Sequence, residues 1–363
     1  MVKPMISVIV PFYSNYSLLE YCCRSLIKNF NKHTYELIVV NDNPRTKPNL
    51  DFAPKATLIQ CEKNGGYAAA CNIGSKQAIG DFLLFVDSDI VIENDVMDVL
   101  LKEYSSNKNI AAVGSKIVKL ATEEIEYYGL AFNEVDVIKP WQGNSAEFPL
   151  TMMNREFQTV PSGLFLIEKA VYDAVGGFDE KMLNCYCDLD LCLKVRKAGR
   201  TVSLAHESIG YHRGSSSGHV RHEWHADGKA LFFKKWGNLI KNDAGYFYKV
   251  AADFYKENME LPSKCLAINL SRSIFGNDCL YTFAENLGID LIAVENYRDR
   301  NHASQYIQLE DILTWSTMNY GVSILYFVDK FKSLEKNRYW FSKRSLSGDI
   351  IVDIHGNVFN PTQ

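Results

Sequence analysis

Runs typical of buried strands alternate with amphipathic segments along the first third of the chain. The apolar, β-rich runs in ISVIVPFYS (residues 6–14) and DFLLFVDSD (residues 81–89) predict parallel strands, because strands covered on both faces are largely apolar. Residues 17–30 and 67–79 place apolar side chains at helical spacing, with Ser17 as the expected N-cap of the first helix. The alternation predicts an α/β fold with a mostly parallel sheet and flanking helices.

The chain of 363 residues is longer than one ordinary domain, and its pattern changes near the middle. Phe232 and Trp236 lie at helical spacing and predict a core-facing helix. A strand–helix–strand pattern then starts again at about residue 263. We therefore expect a first domain over 1–240, a helical connector over 241–262, and a small accessory α/β domain of unknown role over 263–363.

The composition is that of a globular protein, with 47% hydrophobic and 23% charged residues. A net charge of -4, without a basic stripe, argues against nucleic acid as a partner. The first apolar run ends at Pro11 and predicts a strand rather than a signal peptide, and no run approaches the ~18 apolar residues of a membrane span. Nine cysteines in that setting predict reduced thiols, so we expect a cytoplasmic protein.

Three of the predicted strands end in polar or special residues, in the segments 11–13, 41–43 and 87–89. Ligands of such sheets bind outside the carboxyl ends of the parallel strands, so we expect the three segments to share one crevice. Asp87 and Asp89 offer two carboxylates one residue apart, which suit a hard divalent cation bound to phosphate. The alternative is an Asp-rich turn, or a cap for the helix predicted to begin near residue 94.

Seven fragments follow one another in a distinctive order and spacing, namely ISVIVPFYS, ELIVVNDN, NGGYAAACNIG, FLLFVDSD, VPSGLFLIEKAVYDAVGGFDE, CDLDLCLKVRKAG and GYHRGSSSG. Their order and spacing resemble those of family 2 glycosyltransferases, which are inverting enzymes of the GT-A fold. The resemblance covers roughly 1–240 and implies a GT-A nucleotide-diphospho-sugar transferase fold, a nucleotide-sugar donor, a Mn2+ or Mg2+ ion and an acceptor hydroxyl. The segment NGGYAAACNIG is similar to members that build bacterial surface polysaccharides, including rhamnosyltransferases.

The same resemblance implies roles for individual residues. Asp89 and His212 are the expected metal ligands, and Asp188 is the expected catalytic base, although Cys187 stands where the family usually has Glu. The alternative for Asp188 is a simple cap of the helix over 189–198. The residues expected to bind the donor are Pro11, Tyr13, Asp42, Asn72, Asp87 and Arg213.

Two of these residues, Tyr13 and Arg213, have alternative interpretations. Tyr13 suits stacking on a base, but an aromatic residue here is also compatible with a place in the core. Arg213 and the Ser/Gly-rich run 214–218 are predicted to form a mobile flap over the diphosphate, whose charge the guanidinium would neutralise. The alternative is that Arg213 belongs to a solvated face. Cys71 replaces the arginine that the family has before Asn72.

We therefore predict a metal-dependent inverting glycosyltransferase that moves a sugar from UDP-hexose or dTDP-rhamnose to a glycan or lipid-linked acceptor, in surface polysaccharide or glycolipid synthesis. The main alternative is a non-catalytic module that binds nucleotide-sugars or glycans. A sugar nucleotidyltransferase would need a Gly-rich basic loop after the first strand, where this chain has PFYSNYS. Peripheral contact with the inner face of the membrane and formation of a homo-oligomer stay open.

Overall fold

A computed structural model describes residues 6–133, 136–182, 184–213, 220–271, 276–296, 323–331 and 348–360. The chain divides into two compact units, Met1–Lys241 and Asn242–Gln363. Within the described ranges, no helix combines the length and the apolar character needed to cross a membrane.

Unit 1 contains a large sheet with helices on its faces. Its helices are α1 (Tyr16–Asn29), α2 (Gly66–Gln77), α3 (Val96–Ser106), α4 (Lys169–Ala174), α5 (Cys187–Lys197) and α6 (Val220–Trp236). Its strands are β1 (Ile6–Phe12), β2 (Tyr35–Asn41), β3 (Thr57–Gln60), β4 (Phe82–Val86), β5 (Ile90–Val91), β6 (Ile110–Lys119), β7 (Ile125–Tyr127), β8 (Ala131–Phe132), β9 (Val137–Ile138), β10 (Arg155–Phe157), β11 (Leu164–Glu168) and β12 (Thr201–His212).

The main sheet has the order β10-β12-β6-β11-β4-β1-β2-β3, with β5 beside β12 and β7 beside β6. β1 pairs in parallel with β2 and β4, and β6 pairs in parallel with β12. β11 is reversed and pairs antiparallel with both β4 and β6. The predicted α/β architecture with a mostly parallel sheet is therefore confirmed.

The strands form where the sequence is continuously apolar, and all residues of β1 and β4 are buried. One predicted boundary is wrong, because α1 begins at Tyr16 and its N-cap is Asn15 rather than Ser17. The Asn15 side chain accepts from the amide of Leu18, and its φ of 68° is a conformation that Asn tolerates better than most residues.

The core of unit 1 also includes the helix that the sequence predicts to face inward. Phe232 and Trp236 of α6 are buried, which confirms that prediction. All nine cysteines of the chain are buried as well, and no disulfide joins any of them. These thiols behave as small apolar side chains of the interior.

Unit 2 is a smaller α/β unit. Its helices are α7 (Ala244–Asn258) and α8 (Gly276–Leu287), and its strands are β13 (Lys264–Asn269), β14 (Asp290–Asn296), β15 (Ser323–Val328), β16 (Ile350–Asp353) and β17 (Val358–Phe359). The sheet order is β14-β13-β15-β16-β17, and only β17 runs antiparallel to its neighbour. The predicted connector contains α7, whose Tyr248 ring lies 5.4 Å from that of Phe283 in α8, so α7 packs within unit 2.

Candidate active site

The candidate site lies along one edge of the main sheet, where the parallel strands end. β1, β2, β4, β6 and β12 all end at this edge, and the reversed strand β11 begins there. α2 and α5 return the chain toward the opposite edge before β4 and β12, so their N-termini also lie here. This is the edge at which α/β sheets bind their ligands.

The structure brings Asp89 and His212 together, as predicted. His212 Nε2 lies 3.2 Å from Asp89 Oδ2, while its Nδ1 lies 2.7 Å from Glu126 Oε2. The three side chains are only 16%, 15% and 19% exposed for His212, Asp89 and Glu126. The imidazole is therefore held between two carboxylates in a largely water-excluded place.

These contacts shift the acid–base properties of the group. Hydrogen bonds with Asp89 and Glu126 raise the pKa of His212 to about 10, against burial, which acts in the opposite direction. Burial tends to raise the pKa of Glu126, but the hydrogen bond and charge of His212 outweigh it, and the net pKa is lowered. A charged imidazole between two carboxylates is the state that these contacts favour.

Asp87 and Asp188 approach the same short segment from different elements. The Asp87 amide donates to the carbonyl of Gly163 at 2.9 Å, and a Cβ placed on Gly163 would lie 3.2 Å from Asp87 Oδ2. The Ser162 amide donates to Asp188 Oδ2 at 3.4 Å. The segment that leads into β11 thus lies against both Asp188, the predicted base, and Asp87.

The alternatives to a site role are weakened by local geometry. Residues 87–90 do form a turn, closed by the Ile90 amide and the Asp87 carbonyl at 3.0 Å, but this turn leaves Asp89 facing His212. α3 begins after Asp95, so neither Asp87 nor Asp89 caps that helix. Asp188 lies in the first turn of α5, whose N-cap is Tyr186, so the capping interpretation of Asp188 is wrong.

Asp42 is placed at the N-terminus of α2. Its two oxygens accept from the amides of Gly65 and Gly66 at 2.9 and 2.7 Å. Burial raises the pKa of Asp42 above its usual value, and the two amides oppose that effect. A contact between Asp42 and a nucleobase or ribose stays a prediction.

The other donor residues occupy different environments. Pro11 is buried within β1, whereas Tyr13 is 50% exposed, so the interpretation of Tyr13 as a core aromatic is wrong. The amide of Arg213 donates to the Asp89 carbonyl at 3.2 Å, and its guanidinium lies 4.5 Å from the centre of the Tyr21 ring. The flap predicted over 214–218 lies outside the described residues.

Asn72 connects α2 to the turn that follows α4. Its amide nitrogen donates to the Phe178 carbonyl and to Glu180 Oε1, at 3.0 and 2.9 Å. Its oxygen accepts from the Tyr172 hydroxyl and the Phe178 amide, at 2.6 and 3.0 Å. All four hydrogen-bonding positions of this amide are used within the chain, so the predicted donor contact would require one of these bonds to exchange.

Three residues near the site were not predicted from the sequence. Glu126 holds His212, Ser162 contacts Asp188, and Tyr21 lies under Arg213. Glu126 lies in the irregular region after β6, and the other two lack a distinctive spacing. Only the pairing of the strands brings them to this edge.

The side chains at this edge are of the kinds that bind the cation that the family resemblance implies. Asp89 and Asp87 offer carboxylate oxygens and His212 offers an imidazole nitrogen, which together suit Mn2+ or Mg2+. Among the described residues, the group whose three ligand atoms lie within 4.8 Å of one another is a different one, His33, Asp95 and Asp98. His33 Nε2 already lies 2.8 Å from Asp95 Oδ2, and this group is not part of the strand ends.

A mostly parallel sheet whose carboxyl edge gathers carboxylates and a histidine is typical of an α/β domain that binds its ligand outside the strand ends. Residues 7–163 match the family model described as Glycosyl transferase family 2. This segment of the chain is therefore of the family 2 glycosyltransferase type, which confirms the predicted resemblance.

Curated relatives and solved structures match more than half of the chain. The O-antigen biosynthesis protein RfbC of Myxococcus xanthus is 26% identical over 226 residues, which cover 59% of this chain but only 18% of RfbC. The uncharacterized glycosyltransferase YwdF of Bacillus subtilis is 25% identical over 57% of this chain and 73% of its own. The mannosyltransferase PcManGT from Pyrobaculum calidifontis, solved with GDP-Man and Mn2+, is 14% identical with a TM-score of 0.47, over 72% of this chain and 77% of that one.

Proposed function

We propose that unit 1 transfers a sugar, with inversion, from a nucleotide-sugar donor to an acceptor hydroxyl. The observation that carries the proposal is the convergence of Asp188 and Asp87 on residues 162–163, at the edge that also holds the Asp89–His212 contact. A base for the acceptor and ligands for the leaving group are both needed at such a site. The match to the family model supports the donor class.

The proposed step forms one bond and breaks another at C1 of the donor sugar. The acceptor hydroxyl oxygen attacks C1, its proton passes to the carboxylate of Asp188, and the bond from C1 to the nucleoside diphosphate breaks with its electron pair on the diphosphate. Attack from the face opposite the leaving group inverts the configuration at C1. Asp188 is suited to this role because Ser162 and Leu189 amides orient its two oxygens.

Asp89, His212 and Asp87 would hold the divalent cation, Mn2+ or Mg2+. When bound, the cation supplies positive charge to the leaving diphosphate. Arg213 is fixed beside Asp89 through its backbone and adds a guanidinium at the same edge. Tyr13 offers an exposed ring for the base of the nucleotide.

Synthesis of a surface polysaccharide or glycolipid is the proposed context. The printed name of RfbC, an O-antigen biosynthesis protein, supports it, although this chain spans less than a fifth of that protein. A glycan or lipid-linked acceptor fits that context. UDP-hexose and dTDP-rhamnose are the donors that we propose to test first.

The test is donor binding and slow donor hydrolysis across a panel of nucleotide-sugars, with Mn2+ and with EDTA. We expect one donor to bind in a metal-dependent way and to be hydrolysed by the wild type. The variant Asp188→Asn should bind this donor with similar affinity but turn it over about 10²- to 10⁴-fold more slowly. Failure of every donor to bind, with and without metal, would overturn the proposal.

A further inference from the structure

Glu126 contacts the side of His212 that faces away from Asp89. Its Oε2 lies 2.7 Å from His212 Nδ1, whereas Asp89 Oδ2 lies 3.2 Å from Nε2. A carboxylate cannot donate, so Nδ1 carries the proton of the contact with Glu126. A cation bound at Nε2 would replace only the proton on the Asp89 side.

An irregularity in strand pairing places Glu126 at this position. β7 pairs antiparallel with β6 through Ile117 with Tyr127 and Val118 with Ile125, so Glu126 is the extra residue of a β-bulge. A bulge turns its extra side chain away from the regular alternation of the strand. Bulges of this kind are common next to active sites, where they redirect one side chain.

The backbone around Glu126 is held from the other side as well. The Gly143 amide donates to the carbonyl of Ile125 at 2.9 Å, and the Ile125 amide donates to that of Asn144 at 2.7 Å. The Gln142 side chain donates to the carbonyl of Glu126 itself at 3.1 Å. Contacts on both sides fix the direction of the Glu126 side chain, as a residue that orients a ligand requires.

We propose that Glu126 is a positioning residue that holds His212 in the tautomer and orientation needed to bind the divalent cation. The inference rests on the proposed function, because His212 acts on the cation only if unit 1 uses one. Histidines that bind metals commonly donate their second ring N–H to a carboxylate, which fixes the ring and raises its basicity. Glu126 is separated from Asp89 by the imidazole, which places it behind the ligand rather than among the ligands.

The experiment compares Mn2+ affinity, measured by electron paramagnetic resonance in the presence of UDP or dTDP, across four variants of the full chain. Glu126→Ala should bind Mn2+ about 10- to 100-fold more weakly than the wild type. Glu126→Gln keeps an oxygen that accepts from Nδ1–H, so it should recover much of that loss. Glu124→Gln removes the same charge two residues away, where the side chain pairs with Lys119, and should leave the affinity within about twofold.

The fourth variant, Asp89→Asn, separates the two hypotheses. Weak Mn2+ binding by Asp89→Asn together with unchanged binding by Glu126→Ala would overturn the positioning role and leave the proposed metal site intact. Equal binding by the wild type and Asp89→Asn would overturn the metal site and the positioning role with it. If Glu126 had only a structural role, Glu126→Ala would have a lower thermal stability and Glu126→Gln would not restore the Mn2+ affinity. If Glu126→Ala does not fold, the affinity of Glu126→Gln still tests the proposal.

Discussion

The indole N–H of Trp236 donates to Oδ1 of Asp190 at 2.8 Å and joins the last turn of α6 to the first turn of α5. Asp190 is fully buried, and Lys194 and Lys235 reach its two oxygens at 2.9 and 2.6 Å. Asp190 therefore anchors α5 to α6 through these contacts. Its neighbour Asp188, two residues earlier, faces Ser162.

Replacement of Trp236 by Phe should test this anchor. The variant Trp236→Phe loses a hydrogen bond to a charged acceptor, so we expect the free energy of unfolding to fall by at least about 1.5–3 kcal/mol. Urea unfolding of the full chain measures the change. Glu20→Gln, which removes the partner of the exposed Arg24, is the control and should shift stability by no more than about 0.5 kcal/mol. Equal shifts in the two variants would contradict the anchor.

The turn after α4 offers a matched pair of glycines. Gly176 and Gly177 have φ values of 82° and 64°, so Ala in either position costs about 1–2 kcal/mol of backbone strain. A Cβ on Gly176 meets nothing within 4 Å, whereas one on Gly177 would lie 2.7 Å from Asn72 Oδ1. Gly177→Ala should therefore be less stable than Gly176→Ala by a further ~1–3 kcal/mol, because it disturbs the bonds of Asn72.

Thermal unfolding of the two glycine variants decides whether Asn72 is a structural residue. Matching losses would mean that Asn72 can move at little cost. In that case its amide would be available for the donor contact that the sequence predicts. A larger loss in Gly177→Ala supports the role of Asn72 as a connection between α2 and the turn.

Asp353 at the end of β16 should make stability depend on pH. Burial raises its pKa from 3.8 to about 7, although amides of Asn357 and His355 oppose this effect. A carboxyl whose folded pKa is raised stabilises fully below the unfolded value, and that contribution is lost as the pH rises through about 7. The shift corresponds to a change on the order of 4 kcal/mol between pH 4 and 7.

The variant Asp353→Asn keeps an oxygen for the amides of His355 and Asn357 but cannot ionise. Its melting temperature should fall less than that of the wild type when the pH is raised from 5 to 8. Calorimetry of both full-length proteins at the two pH values measures the difference. Parallel pH profiles would show that Asp353 is not the titrating group.

The sequence predicts those parts of the site that depend on strand ends. Asp89 could be placed at the edge of the sheet because it follows the apolar run of a strand, whereas the family resemblance alone predicts its pairing with His212. The reversed direction of β11 could not be predicted, because a short apolar run has the same pattern in either direction. The closeness of Asp87 to Gly163 depends on that reversal.

Other parts of the site depend on pairing partners that a sequence does not state. Glu126 points at His212 only because β7 carries one residue more than the facing part of β6. Asn72 carries the spacing of a donor residue, yet its four bonds go to residues about a hundred positions further along the chain. Long-range contacts of this kind leave no periodic signal.

The burial of every cysteine gives the chain a built-in probe of its own opening. A thiol that lies inside a folded unit reacts with an alkylating reagent only after its surroundings separate, and burial also raises the pKa of Cys23 and Cys265 to about 12. Seven of the thiols belong to unit 1, and Cys265 and Cys279 belong to unit 2. Mass spectrometry after timed alkylation would therefore record, without any introduced label, whether unit 1 or unit 2 unfolds first.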